Sequence, residues 1–192
     1  MRVLHVSTWD EQSGSVGYAR QLLASLETLP DLICDVYPSR RVHQHQTPPG
    51  DQELYDIFEG VLVLANSVDV VHIHHEFAFF AGTHGYGRSV RTFGWLLGQL
   101  LTRGVPVVVT FHGDPDQASR YHRALWRWHV ARHFQRRPDC RQAIVRTADS
   151  RQALIDSGFA PDQVQVVETM APRDLAARHL DLYAALTLVT CN

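Results

Sequence analysis

Short β-branched runs alternate with longer helical patterns along the whole chain, and this alternation fixes the class of fold. It is the signature of a parallel sheet wrapped by helices, because parallel strands need a crossover element between them. Strands are expected at Arg2–Ser7, Leu32–Tyr37, Val68–His74, Val105–Phe111, Gln142–Thr147 and Gln163–Val167. Helices are expected over Tyr18–Leu29, Asp51–Asn66, Gly87–Arg103, Gln117–Arg136, Ser150–Ser157 and Arg173–Leu188, the last opening at Pro172. The reading is a single α/β domain of Rossmann-like type, with Met1–Ser7 central in its parallel sheet. Residues 1–168 form the domain, and residues 169–192 form a linker and a helix packing back on it.

A chain of 192 residues with 45% hydrophobic content buries a core without covalent staples. Its 18 basic and 20 acidic residues are nearly balanced, which gives no electrostatic reason to expect nucleic acid. All the basic residues are arginine, so no mechanism that needs a lysine applies. Cys34, Cys140 and Cys191 are widely spaced and odd in number, which reads as a reduced, cytoplasmic protein. No run is long enough for a signal peptide or a membrane span.

Ligands of open α/β sheets gather at the carboxyl ends of the strands, and three polar clusters fall there. The first is the loop holding Ser13, Gly14, Ser15 and Gly17, whose amides precede a helix and suit a phosphate or carboxylate. The second is His72-Ile-His-His-Glu76, in which His72 and His74 share a face and His75 points the other way. The third is Thr110-Phe-His-Gly-Asp114, a strong apolar strand ending in His112 and Asp114.

A metal reading brings His72, His74 and His112 together with Glu76 as base. The HxHH pattern lacks the spacing of an established zinc motif, so no metal site is assigned. His112 is instead the candidate acid–base or oxyanion-orienting residue, with Asp114 or Glu76 to orient it. His74 and His75 are expected to line the pocket with it, for a sugar or phosphorylated small molecule. His72 is expected to be packed.

Two surface features suggest partners. Arg120, Arg123, Arg127, Arg132, Arg136 and Arg137, interleaved with Trp126 and Trp128, suit lipid headgroups at a membrane surface, or form an ordinary solvated face with the tryptophans in the core. Phe77, Phe79 and Phe80 lie just past the histidine cluster and are expected to form an exposed patch that seeks a partner.

In this order the clusters resemble the N-terminal domain of family 4 glycosyltransferases of the GT-B fold. The resemblance rests on Met1-Arg-Val-Leu-His-Val-Ser7 with Ser13–Gly17, on Asp69-Val-Val-His-Ile-His-His-Glu-Phe77, on Val107-Val-Val-Thr-Phe-His-Gly-Asp114, and on Ile144-Val-Arg-Thr-Ala-Asp-Ser-Arg-Gln-Ala-Leu154 followed by Val164-Gln-Val-Val167. It covers roughly residues 1–168. It implies that these segments line a cleft between two domains, that the position of His112 meets substrate or donor sugar, and that the glycine loop lies near the phosphates.

The family's second domain, which holds most nucleotide-sugar contacts, has no counterpart after Val167. Glu168–Pro172 leads directly to a segment similar to the family's closing helix. Three functions follow as alternatives. The chain is the acceptor-side half of a split or truncated transferase, whose nucleotide-sugar donor is held by a separate polypeptide or a homodimer partner. Or it is a repurposed enzyme using its His/Glu/Asp pocket alone, with metal as one option. Or it is a noncatalytic binding module. No tightly bound cofactor is expected.

Overall fold

A computed structural model of the chain describes residues 1–7, 14–37, 51–76, 80, 85–113, 120–136, 138–168 and 171–188. Six parallel strands form one sheet in the order β2-β1-β3-β4-β5-β6. They are β1 (Arg2–Val6), β2 (Ile33–Tyr37), β3 (Val70–His75), β4 (Val107–Phe111), β5 (Arg141–Val145) and β6 (Val164–Val166). The α/β, Rossmann-like class read from the alternation is therefore the architecture found. β1 lies next to the edge strand β2 rather than at the centre. The chain order reverses between β1 and β3, which makes their carboxyl ends the switch-point crevice where such sheets take ligands.

The strands read as nearly continuous apolar runs because both faces of the sheet are covered; every residue of β3, β4 and β5 is buried. Alternate side chains serve two cores. On one face Leu4, Val71, Ile73, Val107, Val109, Ala143 and Val145 pack with helices α2 (Asp51–Leu64), α3 (Gly85–Thr102), α4 (Arg120–Trp126) and α6 (Ala148–Asp156). On the other Val3, Val70, Val108 and Ile144 meet α1 (Gly14–Leu26) and α7 (Pro172–Thr187). Thr147 caps α6 by accepting from the Ser150 amide at 3.0 Å. The chain passes from β6 to α7 within a few residues, and α7 returns over the sheet to pack beside α1.

The long helix expected over Gln117–Arg136 is divided. α4 runs into a π-helical turn, Arg127–Ala131, before α5 (Arg132–Arg136). The widened turn brings the His129 carbonyl so close to α3 that a Cβ on Gly94 would lie 2.1 Å from its oxygen, so only glycine fits. Trp126 is buried whereas Trp128 is 66% exposed, which splits the tryptophan pair between core and surface.

Two expectations need correction. Phe80 is fully buried, stacked on Phe58 at 5.4 Å and on His75 at 5.0 Å, so it belongs to the core rather than to a surface patch. Phe77 and Phe79 lie outside the described residues. Cys140 is disulfide-bonded, against the expectation of reduced thiols, and Cys34 is free. No described helix is long and apolar enough to cross a membrane.

Candidate functional site

The parallel register assembles a histidine cluster on the α1/α7 face. His5 of β1 pairs directly with His72 of β3, and His74 pairs with Thr110 of β4, so these four side chains stand side by side. Helix α7 lowers His179 and Tyr183, one turn apart, onto them, and α1 contributes Tyr18 from its second turn.

Three hydrogen-bonded strings run through the cluster. His72 is held at both nitrogens, Nδ1 by the Tyr183 hydroxyl at 2.6 Å and Nε2 by Thr110 Oγ1 at 2.8 Å. His74 faces two further imidazoles, with Nε2 at 3.2 Å from His5 Nδ1 and Nδ1 at 3.4 Å from His112 Nε2. His179 Nδ1 donates to the Leu175 carbonyl at 2.8 Å, while its Nε2 meets the Tyr18 hydroxyl at 3.3 Å. The rings stack as well, His72 on His74 at 4.4 Å between centroids and His74 on His112 at 5.6 Å.

Burial in this apolar wrapping disfavours the imidazolium. It lowers His5 to about 3 and His179 to about 4, and pushes His72 and His74 well below the ordinary histidine value. Each added positive charge would also repel its neighbours in the cluster. His112 falls to about 4, again chiefly through burial, with Glu76 pulling it upward and Arg146 pressing it down. All are neutral at pH 7, so each ring presents one donor and one acceptor. In His112 that makes a base rather than an acid.

The cluster opens at the carboxyl end of the sheet. His112 follows β4, its amide donating to the His75 carbonyl at 3.2 Å, and it is only partly buried. The Tyr18 ring sits 5.4 Å from His112, and the Arg146 guanidinium lies 5.8 Å from the Tyr18 ring centroid. Arg146 follows β5 and is exposed, so the rim of this crevice combines a cation, a phenol and a neutral imidazole.

The structure thus brings His72, His74 and His112 together, with Glu76 close enough to act on His112 electrostatically. It does not bring His75 to them. His75 is buried on the opposite face among Phe80, Phe93, Phe111 and Trp126, because alternation along β3 turns it away. Nor is His74 open as expected; it lies beneath His112 and is almost fully buried. Helix α1 begins at Gly14 rather than Tyr18, so Gly14, Ser15 and Gly17 belong to its first turn instead of a preceding loop. Ser13 and Asp114 lie outside the described residues.

Sequence reading missed His5, Tyr18, Thr110, His179 and Tyr183. His5 had a signal: it shares the parity of Val3 in a strand certain to adjoin another. His179 and Tyr183 have the i, i+4 spacing of one helix face, but nothing in the sequence says which strand that face covers.

The Glycosyltransferase Family 4 model matches residues 36–171, well over half of the chain and inclusive of His72, His74, Glu76 and His112. No curated protein matches the chain. Among solved structures, an FMN-dependent NADH-azoreductase from Bacillus anthracis str. Ames Ancestor, in complex with FMN, is similar at 10% identity and a TM-score of 0.37, covering 100% of each chain. So loose a likeness carries nothing about function. The motif-bearing strands β3 to β6, their order and their carboxyl-end histidines all fall inside the family match, and the chain belongs to Glycosyltransferase Family 4.

Proposed function

We propose that the chain is the acceptor-side half of a family 4 glycosyl transfer system, with the crevice around His112 as its ligand pocket. The observation that carries this reading is the position of His112. It stands at the carboxyl end of β4, beside the switch point, hydrogen-bonded to His74 and facing Tyr18 under Arg146. A neutral imidazole at such a rim accepts a proton from a sugar hydroxyl, and Arg146 suits a phosphate or carboxylate on the same ligand.

The first turn of α1, holding Gly14, Ser15 and Gly17, directs backbone amides to the same end of the sheet and suits the same anion. The nucleotide-sugar donor then comes from a donor-binding polypeptide or a second copy of this chain. The direct passage from β6 to α7 supports this, since it leaves no segment between them for a donor domain.

Native mass spectrometry of the purified chain against sugar phosphates and nucleotide sugars tests the reading. A sugar phosphate held by the wild type and lost in His112→Ala is expected. Equally tight retention of a nucleotide sugar by both proteins would count against an acceptor-side role.

A further inference from the structure

Beneath that pocket lies a group of which the transfer reading uses only His74, as a support for His112. His5, His72 and His74 each offer one imidazole nitrogen, and the three nitrogens lie within 4.8 Å of one another. All three rings are essentially excluded from solvent. We propose that His5, His72 and His74 form a binding site for a first-row divalent metal of the zinc type, buried behind His112.

The geometry is that of a site near closure. A zinc ion with nitrogen bonds of about 2.0–2.1 Å in a tetrahedral shell sets its ligand nitrogens about 3.3–3.4 Å apart. His5 Nδ1 and His74 Nε2 are already 3.2 Å apart. The His72 nitrogen lies within 4.8 Å of the other two, so it completes the trio by closing up to about 1.4 Å. Imidazole-only sites suit zinc, copper, nickel and iron rather than calcium or magnesium, which want oxygen ligands.

The surroundings supply what metal-bound histidines require at two of the three rings. A ligating imidazole donates its other N–H to a fixed acceptor. With His74 bound through Nε2, its Nδ1–H faces His112 Nε2 at 3.4 Å, a state in which neutral His112 turns an N–H donor rather than a base towards the pocket. With His72 bound through either nitrogen, the other keeps Tyr183 or Thr110. Among the described residues His5 Nε2 is buried with no hydrogen-bond partner, so with the metal on His5 Nδ1 this ring lacks the outer acceptor that His72 and His74 have. Burial also keeps the three rings neutral, leaving lone pairs for coordination. Three neutral ligands leave a fourth position and an uncompensated dication, and both call for an anion, hydroxide included.

The test uses chelator-stripped full chain and Co(II), then Zn(II), as probes. One Co(II) per chain with the intense visible bands of a tetrahedral ion is expected, displaced by Zn(II). His5→Gln and His74→Gln are each expected to weaken binding by about 100-fold or more, whereas His129→Ala leaves it unchanged. Zn(II) is expected to raise the unfolding temperature of the wild type. A weak octahedral spectrum from the wild type alone overturns the proposal, whatever the variants do. Tetrahedral binding that persists in folded His5→Gln and His74→Gln overturns it equally. The site does not depend on the transferase reading, because every readout is metal binding rather than sugar binding or turnover.

Discussion

His74 Nδ1 stands 3.4 Å from His112 Nε2, and this contact joins a sealed interior to the open end of the sheet. His74 is packed against two more imidazoles, while His112 is partly exposed under Tyr18. The orientation of the accessible base is therefore set from within the core.

Acid should unfold this protein early. His5, His72, His74, His75, His112 and His179 all have folded-state values below the ordinary 6.5. In the unfolded chain they bind protons as pH falls through about 6.5, while the folded chain resists down to about 3–4. The stabilising difference is fully present above pH 6.5 and is lost as pH falls below it. Each such histidine removes up to about 1.4 kcal/mol per pH unit in that window, so several together consume most of a domain's stability of about 5–15 kcal/mol. Urea unfolding is expected to show a steep decline from pH 7 to 5. A flat profile over that interval would contradict the neutral cluster.

His72 and His112 should separate stability from ligand binding. His72→Ala leaves the Tyr183 hydroxyl and Thr110 buried without a partner and opens a cavity, at about 2–4 kcal/mol. His112→Ala removes one long hydrogen bond at a partly exposed position, at about 1 kcal/mol or less. Chemical unfolding of the two variants checks the order. Equal losses would mean that His112 is as structural as His72.

Gly94→Ala is expected to destabilise by about 1–3 kcal/mol or more, since the new methyl overlaps the His129 carbonyl of the π-turn. Gly17→Ala has nothing among the described residues within 4 Å of the added Cβ and a helical conformation that alanine favours, so it should be neutral or slightly stabilising. Thermal unfolding of the pair distinguishes a glycine required by packing from one that is not.

The sheet was legible because its strands announce themselves. Val107–Phe111 and Val70–Ile73 are apolar on both faces apart from Thr110 and His72, as a covered parallel strand should be. His112 was legible for the same reason, as a polar residue ending a strong strand. The other members of the cluster were not, since they arise from register between β1 and β3 and from the course of α7; Tyr18 and His179 meet across 161 residues of chain. Phe80 misled because an aromatic run after a strand looks the same whether it leaves the core or turns back into it. The π-turn is invisible to a period of 3.6, since what accommodates it is a glycine on another helix.

The central claim is that the crevice at His112 takes a sugar bearing a negative charge. Calorimetric titration of a panel of sugar phosphates into wild type, His112→Ala and Arg146→Ala measures this directly, with circular dichroism confirming that each variant is folded. The account predicts saturable binding by the wild type and losses of about tenfold or more in both variants, each worth about 1.4 kcal/mol or more. Binding of equal strength in all three proteins would contradict it.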